Sequence, residues 1–232
     1  MDTTTTKLLL LPGLDGTEIF FAPLLRHLPP WIDPHIVQYP GTGANDYGRL
    51  LDLVREQVAG WDRFAVLGWS FGGPLALMVA SQFPAQVSSV TLCGTFVTPP
   101  QPRLVPIKFM VTTPVVATVR ALRRTRLLLP GRATTELRRA KAVSWRRVNA
   151  RVLAARSRAV LGVDARPQLR ECRARLMYLV SSRDEVVGRA SLAEVLAIAP
   201  HTQVAEIEGT HLALFTNPAQ SAAHIVRFLQ EQ

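Results

Sequence analysis

Only two cysteines occur in the 232 residues. Cys93 and Cys172 offer no disulfide framework and suit a reducing compartment, and Cys93, inside an apolar run, reads as a small core residue. Long hydrophobic runs are also missing. Leu8 to Leu11 is a run of four leucines behind Lys7, too short for the apolar stretch of a secretory leader and without its basic start. Nothing approaches the length of a membrane span, so a soluble cytoplasmic protein is the expectation. No internal repeat or low-complexity tract stands out, and the length fits one domain with an ample core.

Acidic residues are few, and in one region almost gone. The chain carries 27 Lys and Arg against 17 Asp and Glu. Between residues 101 and 175 the count is 19 basic to 3 acidic, whereas the remainder holds 8 basic to 14 acidic. The positive excess therefore belongs to one segment. A field of one sign steers oppositely charged partners, but the segment contains no recognisable nucleic-acid module, and nucleic acid is not the expected partner.

What the chain does contain is a strand, a tight turn with one hydroxyl, and a helix. Phe64-Ala65-Val66-Leu67 runs into Gly68-Trp69-Ser70-Phe71-Gly72-Gly73, and an apolar stretch from Leu75 to Ala80 follows. A serine on so sharp a corner needs small neighbours, and Gly68 and Gly72 stand where a side chain would collide. The strain lifts the Ser70 hydroxyl to where a base can reach it. An acid and then a histidine should follow, each in a loop after a later strand. The run Ala174 to Val180 ends in Ser181-Ser182-Arg183-Asp184-Glu185, which offers Asp184 as the acid with Glu185 as its rival. Thr202 to Ile207 ends in Glu208-Gly209-Thr210-His211, which offers His211 as the base. His27, His35, His201 and His224 read as ordinary surface or core residues. Upstream, Lys7 to Leu11 breaks into Pro12-Gly13-Leu14-Asp15-Gly16-Thr17. The amides of Leu14, in this turn, and of Phe71, after the serine, are the expected donors to an oxyanion.

Coarse periodicity alternates. Strands are expected at 7–11, 35–39, 63–68, 87–93, 174–180 and 202–207, and helices at about 18–28, 47–60, 71–83, 188–198 and 217–230. Parallel strands need crossover connections, so this order predicts an α/β fold with a mostly parallel six-stranded sheet and helices on both faces. Residues 99–173 break the pattern. Ser144 is expected to cap a helix whose apolar face carries Trp145, Val148, Val152, Ala155 and Ala159, with Arg147, Arg151 and Arg158 on another face. A second helix, Val115 to Leu129, groups Arg120, Arg123 and Arg124; a basic amphipathic helix of this kind would also suit a membrane surface.

On Gly68 to Gly73, Asp184 to Val187 and Gly209 to His211, the chain resembles a compact member of the α/β-hydrolase superfamily over most of its length. Gly68-Trp69-Ser70, with Val90-Thr91-Leu92-Cys93-Gly94 after the helix, is similar to the pimeloyl-acyl-carrier-protein methyl ester esterases of biotin synthesis. It departs from them at Pro12-Gly13, where many relatives have His-Gly. The resemblance implies a core made of residues 1–98 and 174–232, with 99–173 as a helical cap over the site. It implies a serine hydrolase of esters or thioesters that uses a Ser70-His211-Asp184 triad and needs neither metal nor organic cofactor. A serine at position 70 excludes an aspartate nucleophile. Trp69, Phe20, Phe109 and Met110 are candidates for the acyl pocket. Acyl carrier protein or coenzyme A are candidate partners at Arg120, Arg123, Arg124, Arg147 and Arg151. A binding protein without catalysis is the remaining alternative.

Overall fold

The apolar runs Leu8–Leu11 and Phe64–Leu67 become strands whose side chains alternate between two cores. The computed structural model describes residues 5–127, with side chains through 122, and residues 134–231. Six strands, β1 (Thr6–Leu11), β2 (Ile32–Ile36), β3 (Phe64–Trp69), β4 (Val87–Cys93), β5 (Arg175–Ser181) and β6 (Gln203–Ile207), form one sheet in the order β2-β1-β3-β4-β5-β6. Every neighbouring pair is parallel. Leu9, Leu11 and Val66 pack into the core on one face, and Leu8, Leu10, Ala65 and Leu67 into the core on the other. This is the two-residue period of a strand covered on both sides. In β3 all six residues are buried.

Among the described residues, helices α1 (Ala22–Leu25), α2 (Tyr47–Gln57), α3 (Gly72–Gln82), α4 (Thr113–Leu127), α5 (Thr135–Arg147), α6 (Ala150–Val160), α7 (Arg166–Glu171), α8 (Arg189–Ile198), α9 (Ala213–Thr216) and α10 (Pro218–Gln230) accompany the sheet, with a 3₁₀ segment at Pro102–Met110. Among the described residues no single helix is long and apolar enough to cross a membrane.

Three expectations shift. The strand foreseen at 35–39 begins at Ile32 and contains Pro34. A proline lacks the ladder donor, but β2 is the sheet edge and bonds only to β1, so its outer side tolerates the loss. The helix foreseen at 18–28 is the single turn α1. The helix foreseen from Ser144 is two helices. Ser144 sits buried in the last turns of α5, Val148 is extended (φ −97°, ψ 122°), and the Asn149 side chain accepts from the Arg151 N–H at 2.7 Å to start α6. An Asn in the cap position satisfies an amide that a continuous helix would have bonded to its own backbone. The end of the helix foreseen at Val115 to Leu129 lies outside the described residues.

Register decides where the chemistry gathers. Leu11 is level with Gly68, Trp69 with Cys93, Cys93 with Leu179, and Ser181 with Ile207. The loops after β1, β3, β4, β5 and β6 therefore leave the sheet at one edge, the carboxyl end of a parallel sheet, where α/β folds hold their ligands.

Candidate active site

The corner after β3 has the strain that its sequence implies. Ser70 has φ 53°, and it is the only non-glycine with positive φ among the described residues, a conformation that costs on the order of 1–3 kcal/mol. A Cβ on Gly68 would run into the Gly72 carbonyl, and one on Gly72 into the Leu11 carbonyl. The strained turn is tied down on both sides. The Ser70 N–H donates to the Cys93 carbonyl at 2.9 Å, and the Ser70 carbonyl accepts from the Gly73 N–H at 3.1 Å and from the Thr95 hydroxyl at 2.5 Å.

The Ser70 hydroxyl lies 2.9 Å from His211 Nε2, and His211 Nδ1 lies 2.8 Å from Asp184 Oδ2. An ionised carboxylate only accepts, so Nδ1 carries the proton and Nε2 is left to accept from the hydroxyl. The other carboxylate oxygen, Oδ1, accepts from the N–H groups of Val186 and Val187, both at 2.9 Å. Burial pushes the Asp184 carboxyl up, but the hydrogen bond and charge of His211 together with those two amides outweigh it, and the group titrates below its ordinary value. Its side chain is 4% exposed. Glu185, the rival acid, is exposed. Trp69 holds the imidazole from behind: its indole N–H donates to the His211 carbonyl at 3.2 Å, and the two rings lie 5.6 Å apart. Gly94, directly after β4, has φ +48°, and a Cβ there would come 3.1 Å from Asp184 Oδ2. A side chain at position 94 would press on the acid from a backbone conformation that favours glycine.

The two expected oxyanion donors are turned by their own peptide planes. In a trans peptide the N–H points opposite to the carbonyl of the preceding residue. The Gly13 carbonyl accepts from the Gly16 N–H at 3.0 Å, inside its turn, so the Leu14 N–H faces the other way. The Ser70 carbonyl is occupied by Gly73 and Thr95, so the Phe71 N–H likewise faces away from them. Neither amide donates to another group among the described residues. Two tyrosines fix the same two stretches. The Tyr39 hydroxyl donates to the Pro12 carbonyl at 3.2 Å, and Tyr47 donates to the Phe71 carbonyl at 3.1 Å while its ring stacks on Phe71.

Sequence reasoning missed Arg156. It is 1% exposed, the largest fully buried side chain of the described chain. From α6 its guanidinium donates to the carbonyls of Leu14 (3.0 Å), Asp15 (2.8 Å) and Pro40 (3.0 Å), and twice to Asn45 Oδ1 (2.8 and 3.1 Å). Burial pushes Arg156 down to about 10, against the charges of Tyr39 and Asp15. Burial also pushes the Asp15 carboxyl up, opposed by bonds from Thr17 and Ser144 and by the Arg156 charge. A signal was present: Arg156 follows Val152 by four residues and so shares the face that α6 buries. A cavity of about 170 Å³ opens beside this group, lined by Asp15, Thr17, Tyr39, Arg147, Val148 and Arg156 among others.

The remaining candidates divide. Trp69 and Phe20 are buried together, ring centres 5.6 Å apart. Phe109 and Met110 are 72% and 52% exposed, because the 3₁₀ segment buries no residue at all, so they stand in solvent instead of packing inward. Of the basic residues, Arg120 donates to the Val148 carbonyl at 2.6 Å and to that of Trp145, satisfying the carbonyl end of α5. Arg147 pairs with Glu18, and Arg151 is exposed. Arg123 and Arg124 lie outside the described side chains. Among the described residues no group of three or more His, Cys, Asp or Glu could hold a metal ion.

The alpha/beta hydrolase family matches residues 8–224. Solved structures agree in fold. The chain is similar to a carboxylesterase structure from the archaeon Nitrososphaera gargenis (18% identity, 99% of this chain and 91% of that one, TM-score 0.79). It is also similar to a bacterial membrane phospholipase A (21%, 98% and 79%, TM-score 0.77), and to the enol-lactonase of Burkholderia xenovorans (16%, 97% and 92%, TM-score 0.75). No curated protein matches by sequence. With that match running from β1 into α10, and the sheet order and strand-end loops as described, the chain belongs to the alpha/beta hydrolase family.

Proposed function

We propose that the protein is a serine hydrolase that cleaves a carboxylic ester or thioester through an acyl-enzyme. The observation that carries this reading is the unbroken line from the Ser70 hydroxyl through His211 to Asp184, with contacts of 2.9 and 2.8 Å. As the Ser70 oxygen attacks the carbonyl carbon, its proton passes to His211 Nε2, and the buried Asp184 carboxylate stabilises the imidazolium. The charge that builds on the carbonyl oxygen falls to the Phe71 and Leu14 amides, each such donor contributing roughly 3 kcal/mol to the transition state. His211 then gives the proton to the departing alcohol or thiol. Water enters, loses a proton to the same nitrogen, and attacks the acyl-serine, which releases the acid and restores the hydroxyl.

A small-molecule ester is the favoured substrate, and similarity to a carboxylesterase supports that class. An acyl group borne by acyl carrier protein or coenzyme A would draw on the basic segment, but Arg120 bonds within the chain and the exposed Arg147 pairs with Glu18, which leaves Arg151 as the exposed member of the described set without an ion pair. Residues 99–173 act in this reading as the cap, reaching the site through Arg156. Turnover of p-nitrophenyl esters of graded acyl length, compared with the matching acyl carrier protein thioesters, tests the proposal. The expected result is saturable hydrolysis of the free esters that Ser70→Ala abolishes; hydrolysis of carrier-borne substrates alone would reverse the order, and hydrolysis of neither would reject it.

A further inference from the structure

Residues 102–119 put an unusual amount of apolar surface into water. Leu104, Ile107, Phe109, Met110, Val115 and Val119 are each at least 40% exposed. Scattered exposed apolar residues are ordinary, but six on two consecutive elements are a concentration that calls for a partner. Taken together, Pro102–Met110 and Thr113–Leu122 are apolar and charge-poor enough for a membrane span, yet they meet at a bend of 116° and so cannot cross as one straight rod. The surrounding charge has a single sign. No Asp or Glu occurs between Asp62 and Glu136, and Arg103 and Lys108, both exposed, sit in the same segment as Phe109.

A second copy of the chain is a poor occupant, because a two-fold interface would set these cations against themselves. A soluble anion would match the charge and leave the apolar side chains wet. A bilayer with anionic headgroups satisfies both, taking the side chains among its acyl chains and the cations among its phosphates. We propose that the face formed by Pro102–Met110 and the first turns of α4 docks on anionic lipid, both elements lying in the interfacial plane. The same insertion reaches the candidate site. Arg158 of α6 donates to the Val111 carbonyl at 2.7 Å, and two residues earlier Arg156 grips the Leu14–Asp15 turn. A docked face would therefore be joined to the oxyanion loop by a single helix.

Flotation of the full chain with vesicles tests the proposal, and no arm of it reads hydrolysis, so failure of the ester-cleaving reading leaves the result intact. Binding to mixed phosphatidylcholine and phosphatidylglycerol vesicles should exceed binding to phosphatidylcholine alone by on the order of tenfold, and should weaken with salt. The variant Phe109→Ser with Met110→Ser should lose on the order of tenfold of that binding while its circular dichroism and melting temperature stay unchanged, since both side chains are already in solvent. Absence of binding to the mixed vesicles overturns the proposal. So does equal binding by the serine variant, which would leave only general basicity that polyglutamate beads should then capture as well. A lipid-free dimer that the serine variant dissociates, seen by sedimentation velocity, would give the face to a second copy instead.

Discussion

Replacing Arg156 by methionine keeps the stem of the side chain and deletes the guanidinium. Four acceptors lose their donor: the side-chain oxygen of Asn45 in a buried position, and the carbonyls of Leu14, Asp15 and Pro40 in partly buried ones. Asp15 loses its neighbouring cation at the same time. Removing one member of a buried charged group typically costs about 3–5 kcal/mol, since the partners are left desolvated and unpaired. For a chain of this length that is a fall in melting temperature on the order of 10 °C. The loosened turn is also the one that carries the Leu14 amide, so kcat on a p-nitrophenyl ester should drop by up to roughly 10²-fold, the worth of one oxyanion donor. Arg156→Lys should recover part of the stability but little of the rate, because one ammonium cannot reproduce a planar fork that bonds four acceptors. Adding Asp15→Asn to the methionine variant should restore some stability by removing the stranded carboxylate. Urea unfolding and initial rates measure all three. If Arg156→Met unfolds within about 1 kcal/mol of the parent and keeps its rate, Arg156 holds nothing in place and the reasoning fails.

Ser70→Ala and His211→Ala should each lower turnover by on the order of 10⁵ to 10⁶, and the double variant should be little worse than either, because the two groups act as one unit; ester hydrolysis kinetics decide this. Asp184→Asn should impair turnover less completely than either, whereas Glu185→Gln, on an exposed side chain, should change it little. Acid unfolding checks the electrostatics of the same aspartate. Its folded carboxyl titrates below the ordinary 3.8, so its ionised form contributes stability that is present above about pH 4 and fades as pH falls through the folded value. Asp184→Asn should accordingly lose stability less steeply than the parent on acidification. Gly94→Ala sets a methyl about 3.1 Å from Asp184 Oδ2 on a backbone with φ +48°, and should cost on the order of 1–3 kcal/mol by thermal unfolding with a fall in kcat.

The strands were legible because a buried parallel sheet demands short apolar runs at crossover spacing, and each of the six expected runs overlaps an observed strand. Ser70 was legible from its glycines, and Asp184 and His211 from a rule of position: loops after parallel strands converge at one sheet edge, so residues more than a hundred apart in sequence meet there. Other parts followed from contacts that no local pattern encodes. Arg156 looks like any other cation of a segment rich in them until α6 turns it inward onto four acceptors. Arg120 likewise bonds the end of α5 and Arg147 bonds Glu18, so a count of charges overstated the basic surface open to a partner. The strand through Pro34 escaped because a proline ordinarily argues against a strand, and only the place of β2 at the sheet edge makes it acceptable. Tyr39 and Tyr47 carry no local signal of their role, and their hydroxyls meet the Pro12 and Phe71 carbonyls only where the sheet brings the ends of β1 and β3 together.

The proposed chemistry requires one hydroxyl of this chain to be a nucleophile activated by a neighbouring imidazole. Incubation of the native protein with a fluorophosphonate probe, followed by peptide mapping, addresses that directly. A single phosphonylated residue, Ser70, is expected, with labelling slowed severely in His211→Ala and absent in Ser70→Ala. A folded parent protein that takes no label, or that takes it with equal speed when His211 is gone, would contradict it.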